Sequence, residues 1–481
     1  MESNLKRALP QAHNIAQLYD DIEAVLDWTQ DEIYDQDPAA VEDLQLYWLR
    51  RRFTELRPQV RALDKLAQDV DVNSIETIDD VIPLCFPHTM LKAYSASDLE
   101  KRRFDRMNRW LSTMTKHDLS HVDVRGVESL DEWLNRISAA TPLIPQLSSG
   151  TSGKISIQPK TAVEGNHLMV GELRCFLPYR DEPGLDPFRG DATLVTPWIA
   201  RSGPHHVTML QTNAVKNIFG GREEGVVTLG YQKMSADALW LSGRLRRAQM
   251  TGEELKLTDK ERELAKQIAK ESADVASPAQ MDRFIDQAVT RLKGKKVYIR
   301  ATWQRIYDMA VACKERGVRP DYAPGSMAAT GGGAKNWVFP EGWRELISEY
   351  FPLPTIEMYG MSEFSAISRL CPEGHWHAPL WGVSWIVDPK TSKPLPRKGV
   401  QTGRYVCFDL LAESYWAGTL SGDKLTMHWD GGCACGRKGP YAEMDVRRFT
   451  EVEGGDDKIS CSKTADAYTD LVKYTQGDVD G

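Results

Sequence analysis

Between residues 190 and 360, short apolar runs alternate with helical stretches, and this alternation restricts the fold more than any other feature of the chain. Ala192–Val195, Val226–Leu229, Val297–Ile299 and Thr355–Tyr359 read as strands, and Trp303–Lys314 and Arg344–Tyr350 as helices. Such alternation implies an α/β fold with a parallel sheet flanked by helices, and ligands gather at the carboxyl ends of its strands. The segments Gly331–Gly333 and Tyr359–Glu363 fall at two such ends. Met234–Leu292 is highly charged and helix-rich, with Leu255, Leu257, Leu264 and Ile268 expected to face inward.

Residues 1–140 are expected to be mostly helical. Tyr47, Trp48, Arg50–Phe53 and Leu56 continue an apolar spacing of three and four. Ser129-Leu-Asp-Glu132 is a capping-box pattern ahead of Trp133, Leu134 and Ile137, so a helix starts near Ser129, and Pro142 and Pro145 stop it.

A Ser/Thr/Gly-rich loop follows at once: Leu147–Lys154, LSSGTSGK. The chain can bend at Gly150 and Gly153, and the hydroxyls of Ser148, Ser149, Thr151 and Ser152 can donate. Successive N–H groups of a Gly-rich turn converge on an anion, and Lys154 adds a fixed positive charge. This is not the P-loop pattern, which needs four residues between its glycines and a hydroxyl after the lysine; here Thr151 and Ser152 intervene and Ile155 follows. A polar surface turn is the competing reading.

Downstream lie ATGGGAKN (Ala329–Asn336) and MYGMSEF (Met358–Phe364). With the Ser/Thr/Gly loop, these segments resemble the adenylate-forming superfamily, in its acyl-protein synthetase and phenylacetate–CoA ligase branch. The resemblance implies that Ser148 to Gly153 and Lys154 hold the β- and γ-phosphates of ATP, and that Gly331, Gly332 and Gly333 lie beside adenine and the acyl substrate. It further implies that Tyr359-Gly360 stacks on adenine, Ser362 reaches the α-phosphate and Glu363 binds Mg²⁺. The residue types suit in-line attack of a carboxylate on phosphorus, which needs charge spread over metal, lysine and hydroxyl donors. One glutamate suffices for Mg²⁺, which commonly takes one or two carboxylates alongside phosphates. Ser421-Gly422-Asp423 resembles the family's ribose-binding segment, and Gly436-Arg437 its nucleotide-contacting Gly-Arg.

Cys371-Pro-Glu-Gly-His375-Trp-His377 and Cys433-Ala-Cys435 supply three thiols and an imidazole, a set suited to a closed structural zinc site. Relatives in the phenylacetate–CoA ligase branch carry a similar arrangement. His375 and His377 are both candidates, and the family spacing favours His377. Two unrelated cysteine clusters is the alternative. Trp198 and Ser202–His206 resemble the family's carboxylate-facing segment. His206 would orient the incoming acid there, or else sit in the core bonded to a backbone carbonyl.

A chain of 481 residues exceeds what one hydrophobic core usually serves. The division expected is a helical region packed on the core (1–140), an adenylation core binding ATP and the acid (141–440) and a reduced C-terminal subdomain (441–481). The superfamily usually carries about a hundred residues after the hinge, with a catalytic lysine; only forty-four follow Arg437 here. Lys458, Lys463 and Lys473 are candidate substitutes. A net charge of −8 argues against nucleic acid as a partner. The charged N-terminus and the lack of an eighteen-residue apolar run point to a cytoplasmic protein without a membrane anchor. Cys85, Cys175, Cys313, Cys407 and Cys461 read as buried reduced thiols.

The resemblance implies an AMP-forming ligase: acid and ATP give acyl-adenylate and pyrophosphate, and the acyl group passes to coenzyme A or a carrier-protein thiol. An amine acceptor, as in acyl-acid amido synthetases, and a non-catalytic adenylate-binding protein are the alternatives.

Overall fold

The computed structural model describes residues 13–149, 154–202, 205, 225–233, 235–252, 254–275, 277–331 and 338–449, which form two compact units. The first contains Thr29–Asp31 and Met169–Gly360. The second contains Ala12–Trp28, Glu32–Leu168 and the chain from Met361 onward.

The first unit holds the expected parallel sheet. Its strands lie in the order Val226–Lys233, Thr193–Ser202, Val297–Arg300, Met327–Gly331 and Thr355–Tyr359, each parallel to its neighbour. The crossovers after the third and fourth strands in chain order carry helices Trp303–Glu315 and Trp343–Tyr350. Ile306, Met309, Ala310 and Cys313, spaced by three and four, bury one helix face in a core shared with Val195, Ile299 and Ala328. The strand order reverses between Thr193–Ser202 and Val297–Arg300, the switch point where α/β sheets place ligands. Arg300 ends its strand there and pairs through both nitrogens with Glu172, one contact at 2.8 Å. Gly331 and Tyr359 are the last residues of their strands, as expected. A side chain at position 331 would press against the Met358 carbonyl oxygen at 2.9 Å, so only glycine lets these two strand ends lie so close.

The charged stretch between strands Val226–Lys233 and Val297–Arg300 forms helices Ala236–Thr251, Asp259–Val275 and Pro278–Ile285. Leu255, Leu257, Leu264 and Ile268 are only half-buried, a shallower inward face than their spacing suggested.

The second unit is built on an antiparallel sheet: Gly382–Val387, Val400–Asp409, Gly418–His428, Tyr441–Glu443, His375–His377 and Ser368–Leu370, in that order. Phe86–Pro87 adds parallel to Gly418–His428, and Arg447–Arg448 adds antiparallel to it. Around this sheet lie helices Pro38–Leu56, Arg61–Asp69, Phe104–Ser112 and Leu130–Ala140. The last begins where the sequence placed it: Ser129 Oγ accepts from the Glu132 N–H at 3.1 Å. Only half of the box forms, because the Glu132 carboxylate turns to Arg136 (3.3 Å) and to the Glu128 N–H (3.5 Å). In Pro38–Leu56, Trp48, Phe53 and Leu56 are buried, but Tyr47 is exposed and meets Tyr19 edge-on.

A separate hairpin pairs Gln146–Ser149 with Ile155–Gln158, Ser148 opposite Ser156. The sequence between these strands is the Ser/Thr/Gly loop. No helix among the described residues is long and apolar enough to cross a membrane.

Candidate active site

The segment Met361–Ser365 is fixed at nearly every residue, and all of its anchors lie in the second unit. The Phe364 N–H closes a turn on the Met361 carbonyl at 3.2 Å. Gln158 Nε2 donates to Ser362 Oγ at 2.9 Å, and Ser362 Oγ donates to Glu363 Oε2 at 3.0 Å. Lys160 Nζ donates to the Ser362 carbonyl at 2.7 Å, and the Tyr415 hydroxyl to the Glu363 carbonyl at 3.3 Å. Asp409 accepts from the Ser365 N–H (2.6 Å) and hydroxyl (2.9 Å). Backbone and hydroxyl are thus tied down, which leaves the Glu363 carboxylate the functional group this turn presents.

Glu363 and Gln158 line one small pocket of about 20 Å³, whose other walls include Phe86, Met90, Met114, Tyr415 and Trp416. Gln158 Oε1 is buried there without a hydrogen-bond partner. Glu363 and Gln158 bring a carboxylate and an orphaned amide oxygen to the lining of one pocket, hard-oxygen groups of the kind Mg²⁺ prefers, so these residue types suit that ion.

Lys154 follows the loop directly. Its Nζ donates to the carbonyls of Tyr94 (2.8 Å) and Lys92 (3.3 Å) and sits 5.2 Å from the centre of the Tyr94 ring. Ser148 Oγ bonds Ser156 Oγ across the hairpin, and Ser149 ends the first hairpin strand. Gly150, Thr151, Ser152 and Gly153 lie outside the described residues, as do Gly332, Gly333 and His206. Gly331, Tyr359 and Gly360 belong to the first unit.

Asp423 is buried in strand Gly418–His428. Ser421 shapes its approach, donating to the Tyr405 carbonyl at 2.7 Å and accepting from the Asp423 N–H at 3.1 Å. One Asp423 oxygen pairs with Arg448 Nε at 2.9 Å, a partner that sequence reasoning passed over. Arg437 is buried, its guanidinium 5.2 Å from the centre of the Tyr34 ring.

The cysteine segments come together. Ligand atoms of Cys371, His377, Cys433 and Cys435 all lie within 4.8 Å of one another. Each segment begins a four-residue turn closed by glycine: Gly374 N–H to the Cys371 carbonyl (2.9 Å) and Gly436 N–H to the Cys433 carbonyl (3.0 Å). Both glycines have positive φ, +75° and +85°, which explains why glycine follows each cysteine at the third place. The turn also lets Cys-x-Cys, with a gap of one, aim both sulfurs inward. Cys371 Sγ lies 3.8 Å from Cys433 Sγ, and Cys435 Sγ lies 3.4 Å from His377 Nε2. Tetrahedral ligands about 2.3 Å from an ion stand roughly 3.8 Å apart, so the set fits such an ion.

Without a cation, burial holds Cys371, Cys433 and His377 neutral. Burial pushes the Cys371 thiol up and the Cys433 thiol up to about 12. His377 is pushed down to about 3, chiefly by burial and then by the Arg437 and His375 charges, so its imidazole is neutral. A bound cation would reverse the penalty on the thiols. His375 Nδ1 faces Cys433 Sγ at 3.3 Å and remains a neighbour of the cluster. Cys85, Cys175, Cys313 and Cys407 are buried and unpaired by disulfides, as expected; Cys461 lies outside the described residues.

No model of a known protein family matches the chain, and no curated protein matches its sequence. Solved structures do match. The open conformation of a 2-hydroxyisobutyryl-CoA ligase, crystallised with 2-HIB-AMP and CoA, matches over 94% of this chain and 83% of its own, at 12% identity and a TM-score of 0.50. The same ligase in its postadenylation state matches over 85% and 67%, at 12% identity and a TM-score of 0.48. The o-succinylbenzoate–CoA synthetase of Bacillus subtilis, bound to its acyl-adenylate intermediate, matches over 64% and 52%, at 16% identity and a TM-score of 0.32. The first match shows that the chain shares its fold with that 2-hydroxyisobutyryl-CoA ligase.

Proposed function

We propose that this chain activates a carboxylic acid with ATP and passes the acyl group to a thiol. The observation that carries this reading is the grip on Ser362–Glu363 by Gln158 and Lys160, which come from the strand and turn that follow the Ser/Thr/Gly loop. One short stretch of chain thereby couples a phosphate-type loop to an acidic tip, on a fold shared with a ligase crystallised with an acyl-adenylate and CoA.

In this reading Lys154 and the loop from Ser148 to Gly153 hold the β- and γ-phosphates. Ser362 reaches the α-phosphate once its hydroxyl turns away from Glu363, and Asp423 accepts from the ribose hydroxyls. Glu363, with Gln158 beside it, would hold Mg²⁺, which when bound supplies charge neutralisation on the phosphate oxygens. The acid's oxygen bonds to the α-phosphorus as the bond to pyrophosphate breaks. The acid is already ionised at neutral pH, so no base is needed for this step. A thiol sulfur then bonds to the acyl carbon, AMP leaves and the thiol proton is released. Cys371, His377, Cys433 and Cys435 would hold a zinc ion with no open position. Its role is structural, fixing the chain after Glu363 to the turn that precedes Arg437.

Pyrophosphate exchange into ATP, run against a panel of carboxylic acids, tests the first half-reaction. Exchange supported by an acid is expected; its absence with every acid would leave a non-catalytic adenylate-binding protein. Coenzyme A or amino acids added to a supporting acid then tell a thiol acceptor from an amine.

A further inference from the structure

Lys160 is 2% exposed, and no motif accounts for it. It faces Asp409, Glu363 and Glu164, of which Asp409 and Glu164 are themselves buried. Those two have their oxygens occupied. Asp409 holds Ser365 and accepts from the Leu411 N–H (3.1 Å). Glu164 accepts from the N–H groups of Thr161, Glu413 and Ser414, each at 2.8 Å, and from the Thr161 and Ser414 hydroxyls. Their negative charge is nevertheless confined in a site of low dielectric, where a buried cation is strongly held and its loss is strongly felt. Among the described residues its ammonium group donates to the Ser362 carbonyl and to none of the three carboxylates.

We propose that Lys160 is a positioning residue for Glu363. Held in place by the buried carboxylates Glu164 and Asp409, it pins the Ser362 carbonyl so that the Glu363 side chain keeps one orientation toward the metal–nucleotide complex. Gln158, two residues earlier, does the same through the Ser362 hydroxyl, and the two act as one clamp. Burial lowers the pKa of Lys160, and Asp409, Glu363 and Glu164 oppose that shift without cancelling it. This inference rests on the reading of Glu363 as the residue that holds Mg²⁺. It adds a residue that acts on that ion without touching it, as outer-shell partners do.

The test is binding of Mn²⁺ with ATP to the full-length protein, followed by electron paramagnetic resonance, for the wild type, Lys160→Met, Gln158→Met and Glu363→Gln. Half-saturating Mg²⁺ is measured in parallel in pyrophosphate exchange. Lys160→Met is expected to weaken Mn²⁺ by roughly 10- to 100-fold and to raise half-saturating Mg²⁺ in step, with the rate at saturating Mg²⁺ much less affected. Glu363→Gln is expected to abolish the protein-bound fraction of Mn²⁺. A folded Lys160→Met with wild-type Mn²⁺ affinity overturns the inference while leaving the function intact. If Lys160→Met does not fold, Gln158→Met decides: weakened Mn²⁺ binding supports the clamp, and unchanged binding overturns it. A wild type that binds no Mn²⁺ with ATP overturns the metal role of Glu363, and this inference with it.

Discussion

At the scale of single residues, chemistry concentrates in groups whose freedom has been removed. Glu363 sits on a turn bonded at Ser362, Glu363 and Ser365 by side chains of other segments. Because only its carboxylate is left to act, Glu363→Gln is expected to lose pyrophosphate exchange and to unfold at the wild-type temperature, as read by thermal denaturation. Asp423 is different, since it already has a partner. Its pairing with Arg448 at 2.9 Å aims one oxygen, so Asp423→Ala should raise the ATP requirement at least tenfold, roughly the cost of a lost charged hydrogen bond of 1.5–3 kcal/mol; an unchanged requirement would remove it from the nucleotide site.

A second residue-scale expectation concerns pH. Burial alone would lower the pKa of His167, but Glu23, 3.5 Å away, together with Asp409 and Glu164, more than offsets this and raises it, while His167 lowers the pKa of Glu23. The raised histidine stabilises the fold below its unfolded pKa, and that contribution fades as pH rises through its folded value. Glu23→Gln should therefore destabilise near pH 6 and matter little at pH 8.5. The effect should stay below about 1 kcal/mol, because the Glu23 side chain is 40% exposed. Melting curves at the two pH values check the sign; a larger effect at pH 8.5 would refute it.

At the scale of elements, two features carry separate stability costs. The helix Leu130–Ala140 depends on Ser129 for its first turn, so Ser129→Ala should cost about 1 kcal/mol in denaturant unfolding. The cysteine turns should cost far more. Elemental analysis is expected to find one zinc per chain, and chelation or Cys433→Ser should lower the melting temperature sharply, since bound metal contributes directly to folding. A metal-free preparation with an unchanged melting temperature would remove the ion. Much of this level was legible in the sequence, because the signals are local. The Ser129 cap and the strand ends at Gly331 and Tyr359 rest on short-range spacing, and the pairing of two cysteine segments on their ligand types and the family resemblance. The half-formed capping box and the exposed Tyr47 were not legible, because neighbouring side chains, Arg136 and Tyr19, decide them.

At the scale of the whole molecule, the fold followed from alternation and motif order, yet the clamp on Glu363 did not. Lys160 looks like a surface lysine beside a proline; only tertiary structure brings Ser362, some two hundred residues away, to its Nζ. Arg448 was equally hidden, since its pairing with Asp423 depends on strand register. Residues that act directly come with recognisable neighbours in sequence, whereas residues that hold them come from anywhere in the chain. The most direct test of the central claim is a crystal structure with ATP and Mg²⁺ bound. The account predicts the phosphates against Lys154, the metal on Glu363 and the ribose on Asp423, all from one nucleotide. A nucleotide bound away from these three side chains would contradict it.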